Sequence, residues 1–174
     1  YKPHWDGIRI YNGDPQITHI QYLHISGANK AFEVTRSRFS IANSIIENNN
    51  SGIHLLTNGN LDIFNNIMTK NFNAGIVIDN AATNIYSNIF FKNYDYGIWS
   101  DKKAAARIKF NNFWDNGEFN CYRCPWQLEK VMKINHNGDS TDAEMNLFLD
   151  PLFVGSDAAK LLEFKDLDLK TPAS

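Results

Sequence analysis

Arg9, Glu33, His54, Asp79 and Asp101 are the side chains of this sequence placed to do acid-base work, and Tyr11, Tyr96 and Trp99 are the aromatics placed to lie against a sugar ring. Two chemistries suit such a set. Elimination on an acidic polysaccharide needs a cation to neutralise the uronate, a base for the proton beside it and an acid for the leaving oxygen, roles open to Arg9 and His54. Hydrolysis or ester cleavage needs two carboxylates a few ångströms apart, which Asp79 and Asp101 become if the chain brings them together. A plain architectural reading competes with both, because an outer sheet face is polar anyway and Arg9 opposite Glu33 is what cross-strand pairing produces.

Cys121 and Cys124 form the other reactive pair, in Cys-Tyr-Arg-Cys. They are half of a zinc or iron site, but there is no second pair and only His54 and His136 remain as partners. No helix start precedes them, as a redox pair of the thioredoxin kind requires. A local disulfide or two loop thiols are the alternatives left. His4, His19 and His24 lack metal-ligand spacing, and the run from Asp139 to Asp142 lacks the regular acidic pattern of a calcium loop. No metal or cofactor is therefore expected, and calcium has no motif behind it.

The residues named first acquire a common position only through a repeat. Four stretches superimpose: NSIIENNNSGI from Asn43, NIMTKNFNAGI from Asn66, NIFFKNYDYGI from Asn88 and NNFWDNG from Asn111. The leading Asn advances in steps of 23, 22 and 23 residues, and a second Asn follows five later at Asn48, Asn71, Asn93 and Asn116. Aligning Gly7-Ile8, Ala31-Phe32, Gly52-Ile53, Gly75-Ile76 and Gly97-Ile98 gives about five coils. A period in the low twenties suits either a leucine-rich repeat or a β-helix. Composition decides between them: the framework is Ile, Phe and Val in three short bursts per repeat, with no amphipathic helical stretch.

The expected fold is thus all-β, a single-stranded right-handed parallel β-helix of about five to seven coils with three strands each. Ile8, Phe32, Ile53, Ile76 and Ile98 should stack as one inward column, with coils about 4.8 Å apart. The recurrent Asn should stack at a turn, with the amide bonding along the axis and the backbone tolerating positive φ. Side-chain alternation then puts Arg9, Glu33, His54, Val77 and Trp99 in one outward row and Tyr11, Thr35, Leu56, Asp79 and Asp101 in another.

The repeats NIMTKNFNAGIVIDN and NIYSNIFFKNYDYGIWSD resemble those of the pectate-lyase-like superfamily, in its Asn-rich bacterial subgroup, over roughly residues 7 to 117. Asp150-Pro151-Leu152-Phe153-Val154, followed by the stretch from Asp166 to Ser174, resembles the closing segment of such domains, though the usual Gly-Ser before the last proline is missing. The resemblance implies the fold and a carbohydrate-directed, extracytoplasmic role. It does not choose an activity, since that superfamily spans lyases, hydrolases, epimerases, esterases and adhesins. Neither a paired Asp-Asp glycosidase signature nor a calcium cluster with an adjacent arginine is present.

The chain reads as one domain, 1–174, with regular coils over 7–117, a polar loop excursion over 118–149 and a C-terminal coil or cap over 150–174. Its formal net charge of -2, with both signs mixed, gives no polybasic field for nucleic acid. No apolar run is long enough to cross a bilayer. Tyr1 opens without Met, and nothing caps the first coil. The expectation is a fragment of a longer chain whose first coil meets another chain or a missing segment. Two functions follow as expectations: a secreted or surface module that binds, and in the finer reading cleaves or modifies, an acidic polysaccharide; or a non-catalytic surface or scaffold module whose partner is another protein.

Overall fold

Each repeat winds once around an axis and lays down three short strands. The structure is a computed structural model and describes residues 1–12, 18–56, 60–101, 105–125 and 128–153. The first coil holds β1 (Ile8–Tyr11), β2 (Thr18–Gln21) and β3 (His24–Ile25), and the second β4 (Lys30–Thr35), β5 (Phe39–Ala42) and β6 (Ile45–Glu47). The third holds β7 (Ser51–Leu56), β8 (Asn60–Phe64) and β9 (Ile67–Thr69), and the fourth β10 (Ala74–Asp79), β11 (Ala82–Tyr86) and β12 (Ile89–Phe91). The fifth holds β13 (Tyr96–Ser100), β14 (Ala105–Lys109) and β15 (Asn112–Trp114); β16 (Phe119–Tyr122) opens a sixth, and β17 (Lys133–Ile134) and β18 (Ser140–Thr141) form a hairpin.

Like strands stack into three parallel sheets, β1-β4-β7-β10-β13-β16, β2-β5-β8-β11-β14 and β3-β6-β9-β12-β15. No helix occurs among the described residues. The fold is the expected parallel β-helix.

Burial explains why these sequences coil. Ile8 pairs with Phe32, Phe32 with Ile53, Ile53 with Ile76 and Ile76 with Ile98, and the last four are fully buried. The second sheet contributes Ile41, Ile63, Ile85 and Ile108, and the third Ile46, Met68, Phe90 and Phe113, where the last two rings stack at 4.8 Å. Each such side chain removed from water contributes about 1.5–3 kcal/mol. At Gly52 a side chain is excluded sterically: a Cβ would lie 2.2 Å from the carbonyl oxygen of Gly75.

Two asparagine ladders run inside the rod. In one, Asn66, Asn88, Asn111 and Asn146 each receive the backbone N–H of the preceding member's rung, beginning at Ser44, and each amide donates to the next side-chain oxygen at 3.0–3.1 Å. In the other, Asn49, Asn71, Asn93 and Asn116 do the same from Ala28 onward, and Asn116 donates to Asn120.

The sequence alignment is off by one residue in its first member. Ser44 and Asn49, not Asn43 and Asn48, occupy the ladder rungs, so the steps become 22, 22 and 23. Positive φ falls on the residue before each rung: at Asn43 and Asn48, as expected, and in the later coils one residue before the aligned Asn, at Asn65, Ser87 and Phe110 and at Lys70, Lys92 and Asp115, with φ of 52–57°. The turn needs a left-handed residue to reverse the chain and, after it, an amide aimed along the axis. Only the second requirement selects Asn, at the rungs from Asn66 onward in one ladder and from Asn49 onward in the other.

The two ends differ. Cys121 of β16 and, beyond it, Cys124, Leu128 and Phe148 pack against the core, and Leu147 bonds across Asn111 and Phe113 as a substitute strand. Buried Asp142 closes the first ladder by accepting both the backbone N–H and the side-chain amide of Asn146. At the start, Ile8, Ile10, Ile20 and Leu23 occupy inward positions yet stay partly exposed. Within 150–174, Phe153 packs on Phe91 outside the third sheet, and Val154 to Ser174 lie outside the described residues.

Candidate functional site

The first sheet assembles the predicted outward rows. Its register pairs Arg9 with Glu33, Glu33 with His54, His54 with Val77, Val77 with Trp99 and Trp99 with Tyr122. The second row runs Tyr11, Thr35, Leu56 and Asp79. Asp101 lies just beyond β13, and its N–H donates to the carbonyl of Ile78 at 2.9 Å, which continues the rung beside Asp79.

Along the axis this face changes in kind. At the first two coils Glu33 accepts from Arg9 Nε at 2.8 Å and also from Lys30. The hydrogen bond from Lys30, and after it the charges of Lys30 and Arg9, hold the Glu33 carboxyl below the usual carboxylate range, although burial opposes this. A cleft of about 310 Å³ opens there, lined by Asp6, Gly7, Arg9, Asn29, Lys30 and Glu33.

In the middle, His54 Nε2 sits 2.8 Å from Asp79 Oδ2, with the imidazole only 16% exposed and the carboxylate 38%. A carboxylate only accepts, so Nε2 carries the hydrogen and Nδ1 of a neutral ring is left as an acceptor. That is the arrangement of an oriented general base. Asp101 brings a second carboxylate one rung away. Arg9 is two rungs from His54, with Glu33 between them and bonded to the guanidinium, so the pairing of these two that elimination requires is interrupted in this arrangement.

At the far end the face is aromatic. Tyr96 lies over Phe119 at 6.3 Å and beside Tyr122 at 5.4 Å, and Arg123 stands 5.1 Å above the Tyr122 ring. Tyr96 donates its hydroxyl to Glu118 at 2.8 Å, and that bond raises the pKa of the phenol. Burial, and then the nearby Glu118, raise that of Asp95. Tyr11 stands apart from this cluster, four rungs down the sheet.

Asp95, Glu118, Phe119 and Tyr122 are additions that the sequence reading missed. The Gly-Ile signal lapses after Gly97, but the step of 23 persists from Tyr96 to Phe119, Ile98 to Cys121 and Trp99 to Tyr122. Cys121 fills the Ile slot and is joined to Cys124 by a disulfide, one of the two alternatives for that pair. Among the described residues, no group of three or more His, Cys, Asp or Glu is arranged to hold a metal ion.

A family model for the right-handed β-helix region matches residues 1–146. The chain belongs to this right-handed β-helix family. Membership supports a carbohydrate-related or surface module in general terms and assigns no reaction. No curated protein and no solved structure matches the chain. Among the described residues of this β-helix, no helix is long and apolar enough to cross a membrane.

Proposed function

We propose that the chain is an extracytoplasmic β-helix module that binds an acidic polysaccharide along the outer face of its first sheet. The observation that carries this reading is the gradation on one continuous face, from the Arg9 and Lys30 cations, through the His54–Asp79 pair with Asp101, to Trp99, Tyr96, Phe119 and Tyr122. Cations answer uronate carboxylates, carboxylates accept sugar hydroxyls, and aromatic faces cover the apolar side of a pyranose. Successive subsites about one coil apart suit a polymer lying along the axis. The Cys121–Cys124 disulfide supports an oxidising compartment.

In the finer form of this reading the bound chain is also cut, with His54 as the base, oriented by Asp79. Native electrophoresis through gels containing polygalacturonate or alginate tests binding, and absorbance of new unsaturated ends tests elimination. Retardation that Trp99→Ala relieves supports the module, and new ends that His54→Gln abolishes support the base. A chain that migrates freely on the whole panel and releases nothing returns the face to architecture.

One observation favours a second reading, a non-catalytic surface or scaffold module. The polar groups of this face are already answered within the sheet, Arg9 and Lys30 by Glu33 at the first coils and His54 by Asp79 in the middle. In that reading the partner is another protein, and a pull-down partner that masks Trp99 replaces polysaccharide in the assays above.

A further inference from the structure

The outer face of the second sheet carries a pattern of its own. Its register sets Ser40, Asp62, Asn84 and Arg107 in one outward column and Ala42, Phe64, Tyr86 and Lys109 in the next. The Phe64 and Tyr86 rings are parallel to within 1° with centroids 5.0 Å apart. The Asn84 amide donates to Asp62 at 2.8 Å, and Lys109 is bonded to Glu144 at 2.8 Å. Arg107 is exposed and makes no ion pair among the described residues. A cleft of about 460 Å³ lies between Asp62, Asn84, Tyr86, Arg107, Lys109 and Phe110.

Phe110 combines an exposed aromatic ring, a left-handed backbone and a place at the rim of this cleft. It holds the left-handed turn position, φ 56°, that Tyr22, Asn43, Asn65 and Ser87 hold in the coils before it. Small polar residues suit that conformation and a bulky ring does not. Its ring is also 59% exposed, so burial gives nothing back. A costly backbone position carrying an exposed aromatic at the rim of a cleft is the kind of local conflict that marks function.

We propose that this cleft is a second saccharide-binding site, separate from the first-sheet face, that takes a uronate residue of an acidic polysaccharide. Arg107 receives the sugar carboxylate in a two-pronged bond, as a planar guanidinium does best. The pyranose lies between the Tyr86 and Phe110 rings, and Asn84 and Asp62 meet its hydroxyls. The Tyr86 hydroxyl, a phenol that stays protonated at neutral pH, is available as a donor. Lys109 is answered by Glu144, which leaves Arg107 as the lining cation without an ion pair among the described residues, a partner for an anionic sugar. The proposal does not depend on the first sheet binding anything.

The test is titration of the isotopically labelled chain with trigalacturonate, followed through backbone amide shifts. Saturable shifts at Asn84, Tyr86, Arg107 and Phe110 are expected, and they persist in Trp99→Ala. Arg107→Gln and Tyr86→Ala each weaken the binding about tenfold or more, the scale of one charge-assisted or stacking contact. Phe110→Asn weakens binding while leaving the melting temperature unchanged or higher, because the turn gains a residue that suits it. The proposal is overturned by shifts confined to the first sheet, by the absence of saturable shifts, or by a Phe110→Asn chain that melts lower and still binds. Saturation at the second sheet with none at the first leaves this inference standing and removes the first-sheet reading.

Discussion

Along the first sheet, Ile8, Phe32, Ile53, Ile76 and Ile98 face the axis, while Arg9, Glu33, His54, Val77 and Trp99, each one residue later, face out. The inner column changes only in apolar shape from rung to rung. The outer one passes through a cation, an acid, an imidazole, an aliphatic and an indole. Stacking geometry is identical for both, so the contrast comes from solvent: inside, any polar substitution leaves an unsatisfied group, whereas outside water satisfies whatever stands there. Freedom on the outside is what lets a solenoid keep its shape and vary its surface.

The largest effect should come from the buried polar ladder. Asn88 accepts from Asn66 twice and donates to Ile63, Tyr86 and Asn111. Asn88→Ala strands several of these groups, and a loss of about 4 kcal/mol in denaturant unfolding is expected. Ile76→Ala comes next, with about 3 kcal/mol lost to the cavity between its neighbours in the column. If either substitution proves nearly neutral, the inner columns are not what holds the coils.

Outer substitutions should be far milder. Trp99→Ala and His54→Gln each change stability by about 1 kcal/mol or less, read as a shift in urea midpoint at constant slope. Smallest is the charge cluster at the first coils. Glu33 has its folded pKa depressed, so its contribution is present above the unfolded value, near 4.5, and is lost as pH falls through the folded one. Wild type should therefore lose up to about 1 kcal/mol on acidification that Glu33→Gln does not lose. Equal pH profiles for the two would remove Glu33 from the account.

Much of this was legible because burial and period leave marks in sequence. The Gly-Ile alignment gave the register of the first sheet without adjustment, since its members are buried and have few alternatives. The Asn alignment slipped at Asn43 and Asn48 because Asn also suits the left-handed position beside the ladder, so identity alone could not separate two adjacent roles. Asp142 and Asn146 were invisible because they reach the ladder from 31 and 35 residues beyond Asn111, outside any repeat. The aromatic cluster was only half seen: Cys121 in the Ile slot hid the rung that carries Phe119 and Tyr122.

The claim at the centre is that the outer face of the first sheet serves a ligand and not the fold. A triple variant, His54→Ala with Asp79→Ala and Trp99→Ala, measured for migration in polygalacturonate gels beside its thermal unfolding curve, addresses it directly. The account predicts a chain that melts within a few degrees of wild type and is no longer retarded by the polymer. Retardation equal to wild type, or a variant that fails to fold, would contradict it.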